Sequence, residues 1–338
     1  MNPVLEVTGL EVAFATPGGT VQAVRGLDCR VLRGQTLAVV GESGCGKSTA
    51  MQAVMGLIPS PPGRITGGQA RLNGRSLLDL SPRQLDRIRG REMTMIFQDP
   101  MSALNPTLTI GQQVAEPLRM HRGLGHSAAW RQAVALLEQT GIAAAERRAR
   151  QYPHVFSGGM LQRTMIAMAL AAQPSLLIAD EPTSALDVTI QAQILDLLAS
   201  LQRQRGMAIV LITHDLGVVA RLAHRVAVMY AGLVVESAPV EALFAHPGHP
   251  YTVGLRQALP DPDPGEKRPL QPIPGAPPNL SDPPAGCGYA PRCPHAMRLC
   301  RDRPPPLFEL GPDHQARCWL HHPQAPRRSG LQNRDGGS

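Results

Sequence analysis

One eight-residue segment, from Gly41 to Ser48, constrains the fold of this chain more than any other part of its sequence. It fits the pattern G-x-x-x-x-G-K-S, in which the last two positions are Lys47 and Ser48. The apolar run 36–40 before it predicts a buried strand, and residues 49–55 after it predict a helix. A glycine-rich turn between a strand and a helix points backbone N–H groups and the positive end of the helix dipole at one spot. The sequence therefore predicts an α/β fold with a phosphate-binding loop, named the P-loop below, at this turn.

The positions of the P-loop have separate expected roles in binding a nucleotide. The ammonium of Lys47 is expected to reach the β- and γ-phosphates, and the hydroxyl of Ser48 is expected to bind Mg²⁺. The remaining positions are expected to line the nucleotide, most of them through backbone N–H groups. These positions are Gly41, Ser43, Gly44, Cys45, Gly46 and Thr49.

The composition limits the classes of protein to which the chain can belong. With 338 residues, 43% of them hydrophobic, the chain can bury a sizeable core. No apolar run approaches the roughly 18–20 residues that span a bilayer, and the N-terminus lacks the pattern of a signal peptide, so we expect a cytoplasmic protein. The net charge of +7 is compatible with a nucleic-acid or anionic-membrane partner. Because no basic block with interleaved aromatic residues is present, we favour dispersed surface arginines and expect no nucleic-acid partner.

Composition shifts divide the chain into one large domain and three shorter segments. Residues 1–258 alternate short apolar runs with helical patterns, which is typical of a parallel α/β sheet. Residues 259–285 are rich in proline and are expected to form a linker. Four of the six cysteines fall within residues 286–322, named the four-cysteine segment below. Residues 323–338 are basic and contain glycine and serine, and we expect them to be disordered.

Two adjacent carboxylates, Asp180 and Glu181, follow another apolar run at residues 175–179. That run predicts a buried strand, and the carboxyl ends of parallel strands meet at the edge of the sheet where ligands bind. Successive side chains of a strand point to opposite faces, so the two carboxylates can have different roles. We expect Asp180 to hold Mg²⁺ through its water shell and Glu181 to polarise the water that attacks the γ-phosphate.

A second anion-binding helix start is predicted at Ser157, Gly158 and Gly159, which precede another helical pattern. Serine suits the N-cap position of a helix, and the two glycines let a phosphate approach the backbone. One chain with two such helix starts allows two arrangements. Either the chain binds two nucleotides, or the second start contacts a nucleotide that another subunit holds.

The order of these motifs over about residues 4–258 resembles that of the ATP-binding cassette (ABC) family. The resemblance implies a P-loop NTPase core with a mainly parallel sheet, an antiparallel β subdomain and an inserted α-helical subdomain at about residues 86–172. It also implies that residues 157–159 belong to the signature motif, which closes over the ATP held by a partner's P-loop. A second ATPase subunit is therefore an expected partner.

The same resemblance implies roles for three separate residues. Gln98 matches the glutamine loop, which contacts Mg²⁺ and the attacking water and senses the membrane partner. His214 follows the apolar run 208–213 and matches the switch histidine that contacts the γ-phosphate. Phe14 occupies the place of the aromatic residue that stacks on adenine.

Residues 98–106, 156–160 and 249–252 are similar to one branch of the family, the first of two ATPase subunits in dipeptide and oligopeptide import systems. This implies a sister ATPase, two transmembrane permeases and an extracytoplasmic substrate-binding protein as partners, at the cytoplasmic face of a bacterial inner membrane. Open alternatives are an ABC ATPase for nickel or another peptide-like cargo, and a non-transport ABC ATPase that acts on nucleic acid. Met160 stands where the signature usually has glutamine and Leu161 where the branch usually has arginine, so the site that they complete can differ from the usual one.

The four-cysteine segment predicts a metal site. Its cysteines are Cys287, Cys293, Cys300 and Cys318. A cytoplasmic chain rarely holds disulfides, so clustered cysteines indicate metal ligands, and thiolates suit either zinc or an iron–sulfur cluster. The spacing lacks the paired C-x₂-C of common zinc ribbons and does not choose between them. The peptide-importer ATPases carry a similar C-terminal extension, and this resemblance favours a 4Fe–4S cluster, with zinc as the alternative.

Overall fold

The computed structural model describes residues 2–184, 186–258 and 272–326. Its helices and strands alternate along most of the chain. The strands are β1 (Leu5–Thr16), β2 (Gly19–Val31), β3 (Thr36–Val40), β4 (Gly63–Leu72), β5 (Arg75–Ser76), β6 (Met93–Ile96), β7 (Leu176–Asp180), β8 (Ala208–Thr213), β9 (Arg225–Tyr230), β10 (Leu233–Pro239), β11 (Phe308–Gly311) and β12 (His314–Ala316).

The α-helices vary in length from one turn to five. They are α1 (Lys47–Val54), α2 (Pro82–Ile88), α3 (Pro100–Ala103), α4 (Ile110–Arg122), α5 (His126–Gln139), α6 (Ala145–Ala149), α7 (Gly158–Leu170), α8 (Val188–Arg205), α9 (Leu216–Leu222), α10 (Val240–Ala245), α11 (Pro250–Gln257) and α12 (Arg298–Asp302). None of the helices in the described parts of the chain combines the length and the apolar character needed to cross a bilayer.

The chain forms two compact units. Unit 1 contains Val31–Thr36, Arg71–Ile212 and the described part of Met1–Leu5. Its strands β6, β7 and β8 are parallel neighbours in the order β8-β7-β6. Every residue of β7 and β8 is buried, which is the pattern of parallel strands covered on both faces. Helices α2 to α8 also belong to this unit, and they include the region expected to form an α-helical subdomain.

Unit 2 contains Glu6–Arg30, Leu37–Ala70 and the described residues from Thr213 onward. Its strands are neighbours in the order β11-β12-β10-β9-β3. Strand β3 pairs with β9 in parallel, and β10 pairs with both β9 and β12 in antiparallel orientation. The two short strands near the C-terminus therefore extend the sheet that contains the strand before the P-loop.

A smaller sheet has the neighbours β2-β1-β4, mostly in unit 2, and the end of β4 pairs with β5 in antiparallel orientation. Parallel and antiparallel strands together with helices confirm the predicted α/β class. The apolar runs 36–40 and 208–213 form β3 and β8 as predicted, while the run 175–179 forms a strand shifted by one residue, Leu176–Asp180.

The predicted domain boundaries fall partly outside the described residues. Of the predicted linker, residues 259–271 lie outside them, as do residues 327–338 of the predicted tail. The described part of the four-cysteine segment contains α12, β11, β12 and a 3-10 turn at Trp319–His321. The division into one ATPase domain, a linker, a cysteine segment and a tail stays a prediction.

Candidate functional site

The P-loop connects β3 to α1 in unit 2, and two of its glycines are required by the backbone. Gly41 has φ +150° and Gly46, the N-cap of α1, has φ +101°, values that residues with a Cβ rarely adopt. A Cβ at Gly41 would also collide with the carbonyl oxygen of Met229, and one at Gly46 would collide with that of Ala23. The loop therefore packs closely against neighbouring backbone. Its last residues form the N-terminus of α1, where backbone N–H groups can bind an anion.

The ammonium of Lys47 lies inside the P-loop. Its Nζ atom donates to the carbonyl oxygens of Gly41 at 2.7 Å and Glu42 at 3.0 Å, and it lies 3.9 Å from the Sγ atom of Cys45. The side chain is buried, and these partners carry no formal charge. The positive charge of Lys47 is therefore held at the loop and remains available to a phosphate.

The other predicted loop residues differ in exposure. Ser43 and Gly44 are exposed, whereas Ser48 and Thr49 are half-buried in the first turn of α1. Cys45 is buried, and burial raises the pKa of its thiol although Lys47 opposes that effect. A thiol of this kind is a poor nucleophile, so Cys45 contributes to the loop through its backbone.

In unit 1 the register of two parallel strands explains how two predicted catalytic residues meet. Ile96 of β6 lies opposite Ala179 of β7, so the residues two positions beyond them leave the sheet side by side. Accordingly, the Nε2 atom of Gln98 donates a 3.0 Å hydrogen bond to the Oε2 atom of Glu181.

The two carboxylates at the end of β7 have different environments. Asp180 is buried, and Glu181 is half-buried. Glu181 has φ +44°, an uncommon conformation for a residue with a side chain, and its N–H donates to the carbonyl oxygen of Ile212 at 2.9 Å. Strained backbone at the end of a strand is a common feature of catalytic residues.

The predicted signature motif lies at the start of α7. Ser157 occupies the N-cap position, but its side chain makes no capping hydrogen bond. Ser157 and Gly158 are exposed, and a Cβ at Gly159 would lie 2.9 Å from the Cγ2 atom of Ile190. The first turn of α7 therefore presents an open, uncapped helix start, and only its second glycine is needed for packing.

Two further predicted residues lie in unit 2. His214 is exposed directly after β8, where Asp215 starts α9 by accepting hydrogen bonds from the N–H groups of Gly217 and Val218. Phe14 is half-buried in β1, and its ring lies beside the backbone of Gly63.

The four cysteines that were predicted as metal ligands border one small cavity, together with His249 and His295. None of the four forms a disulfide bond, and the N–H of Cys287 donates to the carbonyl oxygen of Cys300 at 2.7 Å. Burial, together with the nearby thiols of the other three cysteines, raises the pKa of Cys318 to about 12. No group of three or more His, Cys, Asp or Glu side chains has the arrangement of a metal site within the described residues. The structure thus brings the four thiols to one cavity without closing them into a ligand set.

Two buried side-chain contacts in unit 2 are not evident from the sequence. The guanidinium of Arg292 binds the carboxylate of Glu42 through two hydrogen bonds, of 2.6 and 2.9 Å. The carboxylate of Glu236 is fully buried and accepts hydrogen bonds from the N–H groups of Gly248 and His249, while the Nε2 atom of His314 lies 2.8 Å from it. Nothing in the sequence pairs these residues, because 250 positions separate Arg292 from Glu42 and 78 separate His314 from Glu236.

Comparison with known sequences accounts for both the P-loop region and the C-terminal region. Residues 24–184 match the profile of the ABC transporter family, and residues 235–300 match that of the oligopeptide/dipeptide transporter C-terminal region. The oligopeptide transport ATP-binding protein OppD of Bacillus subtilis (strain 168) is 51% identical over 323 residues, which cover 96% of this chain and 90% of that protein. The dipeptide transport ATP-binding protein DppD of the same organism is 49% identical over 326 residues, which cover 96% and 97%.

Solved structures agree with the sequence comparison. The dimeric bacterial ABC transporter cassette MJ0796 has a TM-score of 0.63 at 28% identity and covers 70% of this chain and 98% of its own. A dimeric post-hydrolysis state of MJ0796, with bound ADP and Pi, has the same TM-score at 27% identity. The P-loop holds its lysine in place and a glutamine binds the glutamate after β7, in agreement with these relatives. The chain belongs to the ABC transporter family of ATPases, in the group that carries the oligopeptide/dipeptide transporter C-terminal region.

Proposed function

We propose that this chain is the ATP-hydrolysing subunit that energises import of dipeptides or oligopeptides through a membrane ABC transporter. The observation that carries the proposal is the extent of the similarity. It covers the C-terminal region as well as the ATPase motifs, and the relatives are named for oligopeptide and dipeptide transport. An ABC ATPase of another branch would be expected to match the ABC transporter profile over residues 24–184 without the C-terminal region.

The P-loop supplies the binding of the nucleotide. In this proposal Lys47 exchanges its carbonyl partners for the β- and γ-phosphates, and the N–H groups at the start of α1 bind the same oxygens. The hydroxyl of Ser48 and the buried carboxylate of Asp180 are oxygen donors, which are the ligands that Mg²⁺ prefers. The ion, when bound, neutralises charge on the phosphate oxygens during transfer. Phe14 is proposed to stack on the adenine.

Hydrolysis is assigned to Glu181 with help from two polar side chains. Glu181 accepts a proton while water forms a bond to the γ-phosphorus and the bond from that phosphorus to the ADP oxygen breaks. The hydrogen bond from Gln98 fixes the orientation of the Glu181 carboxylate. His214 is proposed to contact the γ-phosphate, where its exposed ring can donate a hydrogen bond.

A second ATPase subunit is proposed to complete the site. The open helix start at Ser157, Gly158 and Gly159 is suited to bind the γ-phosphate of a nucleotide on that subunit. The solved relative MJ0796 is dimeric, which supports this arrangement. Met160, which follows Gly159, has no side-chain hydrogen-bond donor, so the site that this chain completes differs from one completed by the usual glutamine. We therefore propose that the partner is a sister subunit rather than a copy.

The remaining partners follow from the proposed import. Two transmembrane permeases would dock on the helical region near Gln98, with an extracytoplasmic substrate-binding protein that delivers the peptide. The chain would then be a peripheral protein on the cytoplasmic face of a bacterial inner membrane.

We also propose that the four-cysteine segment holds a 4Fe–4S cluster, with zinc as the alternative. Four cysteines that border one cavity, none of them in a disulfide bond, supply the type and number of ligands that either centre takes. The test is iron, sulfide and zinc analysis of the full chain purified without oxygen, for wild type, Cys318→Ser and the control Cys29→Ser. Loss of metal in Cys318→Ser alone supports the site, and absence of both metals from the wild type refutes it.

Purification of the assembled complex tests the proposed transport function. The tagged full-length chain is recovered from gently solubilised membranes, and the proteins bound to it are identified by mass spectrometry. Two membrane-spanning permeases and a second ATPase would support import, and peptide-stimulated ATP turnover by that complex would identify the cargo. Stimulation by a nickel complex instead of peptides, or recovery with nucleic acid alone, would refute peptide import.

A further inference from the structure

The strongest feature outside the known motifs is a buried ion pair between the P-loop and the four-cysteine segment. Arg292 precedes Cys293, and Glu42 is the second residue of the P-loop. Their two hydrogen bonds join both guanidinium Nη atoms to both carboxylate oxygens, which is the strongest geometry for such a pair. The side chain of Arg292 is 4% exposed and that of Glu42 is 27% exposed, so water screens the pair weakly.

Arg292 is also held in place by other contacts. Its Nε atom donates to the carbonyl oxygen of Pro274 at 2.8 Å, and its guanidinium lies 5.8 Å from the ring of Tyr230 and 6.0 Å from that of Tyr289. The hydrogen bonds to Glu42 raise the pKa of Arg292, although burial opposes that effect. Arg292 is therefore a fixed cation against which the P-loop residue is placed.

The backbone of Glu42 is held by the same part of the molecule. Its N–H donates a 2.8 Å hydrogen bond to the hydroxyl oxygen of Tyr251, a buried residue of α11 whose ring packs 4.6 Å from that of Tyr230. Its carbonyl oxygen accepts a 3.0 Å hydrogen bond from the Nζ atom of Lys47. Glu42 thus connects the lysine that binds phosphate with groups from the C-terminal part of unit 2.

A carboxylate inside a phosphate-binding loop is unfavourable unless another charge compensates it. Without a cation beside it, Glu42 would repel the phosphates and would attract the ammonium of Lys47 away from them. Arg292 supplies that cation and, because it is fixed by its other contacts, it also sets the position of the carboxylate.

We propose that Arg292 is a positioning residue of the ATP site, which neutralises Glu42 and holds the P-loop in its phosphate-binding conformation. The four-cysteine segment is then a structural part of nucleotide binding. The proposal rests on binding of ATP by the P-loop, and it requires neither a particular cargo nor a metal at the cysteines.

Equilibrium binding of Mg·ATP to the full-length chain tests this role. We expect Arg292→Gln to bind Mg·ATP about tenfold more weakly. Two coupled sites typically change each other's affinity by about 5- to 150-fold, so this effect lies near the lower limit. The double variant Glu42→Gln/Arg292→Gln should recover most of the affinity, because it removes the uncompensated carboxylate as well. The matched control is Arg298→Gln, since Arg298 belongs to the same segment and its side chain is 96% exposed.

Steady-state kinetics separates positioning from a general loss of structure. We expect a higher KM for ATP in Arg292→Gln with kcat at saturating ATP close to wild type, since the residues assigned to hydrolysis lie elsewhere. If that variant does not fold, Arg292→Met keeps an apolar chain between the tyrosine rings, and its double variant with Glu42→Gln gives the same comparison.

Two results would overturn the proposal. One is wild-type affinity in the single variant, and the other is a double variant that binds as weakly as the single one. The affinity of the wild-type chain for Mg·ATP is the reference for both comparisons. If the wild-type chain did not bind Mg·ATP, the proposed function itself would be refuted, which is distinguishable from a failure of the role proposed for Arg292.

Discussion

Replacement of Glu181 by glutamine tests the proposed base with little effect on the fold. Glutamine has the same length, can accept the hydrogen bond from Gln98 through its carbonyl oxygen, and meets the same backbone requirement at φ +44°. We therefore expect a stability change of about 1 kcal/mol or less, the net value of one partly exposed hydrogen bond. A general base contributes about 10²–10⁴-fold to a rate, and its loss raises the activation free energy by about 3–5 kcal/mol.

ATP turnover and ATP binding should be measured together for this variant. We expect turnover of the assembled transporter to fall at least about a hundredfold while the affinity for Mg·ATP stays near that of the wild type. The matched control is Glu146→Gln, which removes an exposed carboxylate of α6 that lies 2.7 Å from Arg150 and should leave turnover unchanged. Turnover above a tenth of the wild-type rate in Glu181→Gln would show that this carboxylate is not the base.

Three other perturbations give separate expectations. Lys47→Ala should abolish measurable binding of Mg·ATP in an equilibrium titration, and unchanged binding would contradict the assignment of the P-loop. Gly41→Ala should lower the free energy of unfolding in urea by at least about 1–3 kcal/mol, because its φ is +150°, whereas Gly18→Ala, with no atom within 4 Å of the added Cβ, should change it by less. Burial lowers the pKa of His249 to about 4, so its imidazole is neutral in the folded protein. The unfolded chain then binds the proton first as the pH falls from about 6.5 towards 4, and stability should fall over that window by up to about 3 kcal/mol. His249→Asn, which keeps an acceptor at the start of α11, should reduce the pH dependence, and an identical pH dependence in both proteins would contradict this assignment.

The sequence predicts best those strands whose residues are mostly apolar and all buried, because the pattern along the chain then matches the burial in the fold. Continuous apolar runs gave β3 and β8 with their observed bounds, because strands covered on both faces need no alternation. Helix ends were less accurate, because residues 49–55 were expected to be helical whereas α1 begins at Lys47 and ends at Val54. Helix α7 ends at Leu170, four residues before Pro174, and Gln173 in between has φ +59°. The chain therefore leaves the helix through a left-handed residue as well as through the proline.

The contact between Gln98 and Glu181 was accessible from sequence only in part. A strand was predicted before Glu181 but not before Gln98, and their hydrogen bond depends on β6 and β7 being parallel neighbours in a particular register. A one-residue shift of that register would turn the side chains to opposite faces. Pattern identifies the candidates, and strand pairing decides which of them meet.

The role of the C-terminal residues could not be predicted from composition. Proline and cysteine content marks residues from 259 onward as an appended segment, yet β12 pairs with β10 and so joins the sheet that contains β3. Arg292 occurs among 33 basic residues with nothing local to distinguish it, and its carboxylate partner lies 250 positions away. Its importance comes from burial, which makes an unpaired charge costly and a paired one fixed in position. A segment that sequence separates from the ATPase is therefore in direct contact with the P-loop through one ion pair, and one strand pairing joins it to the sheet that contains β3.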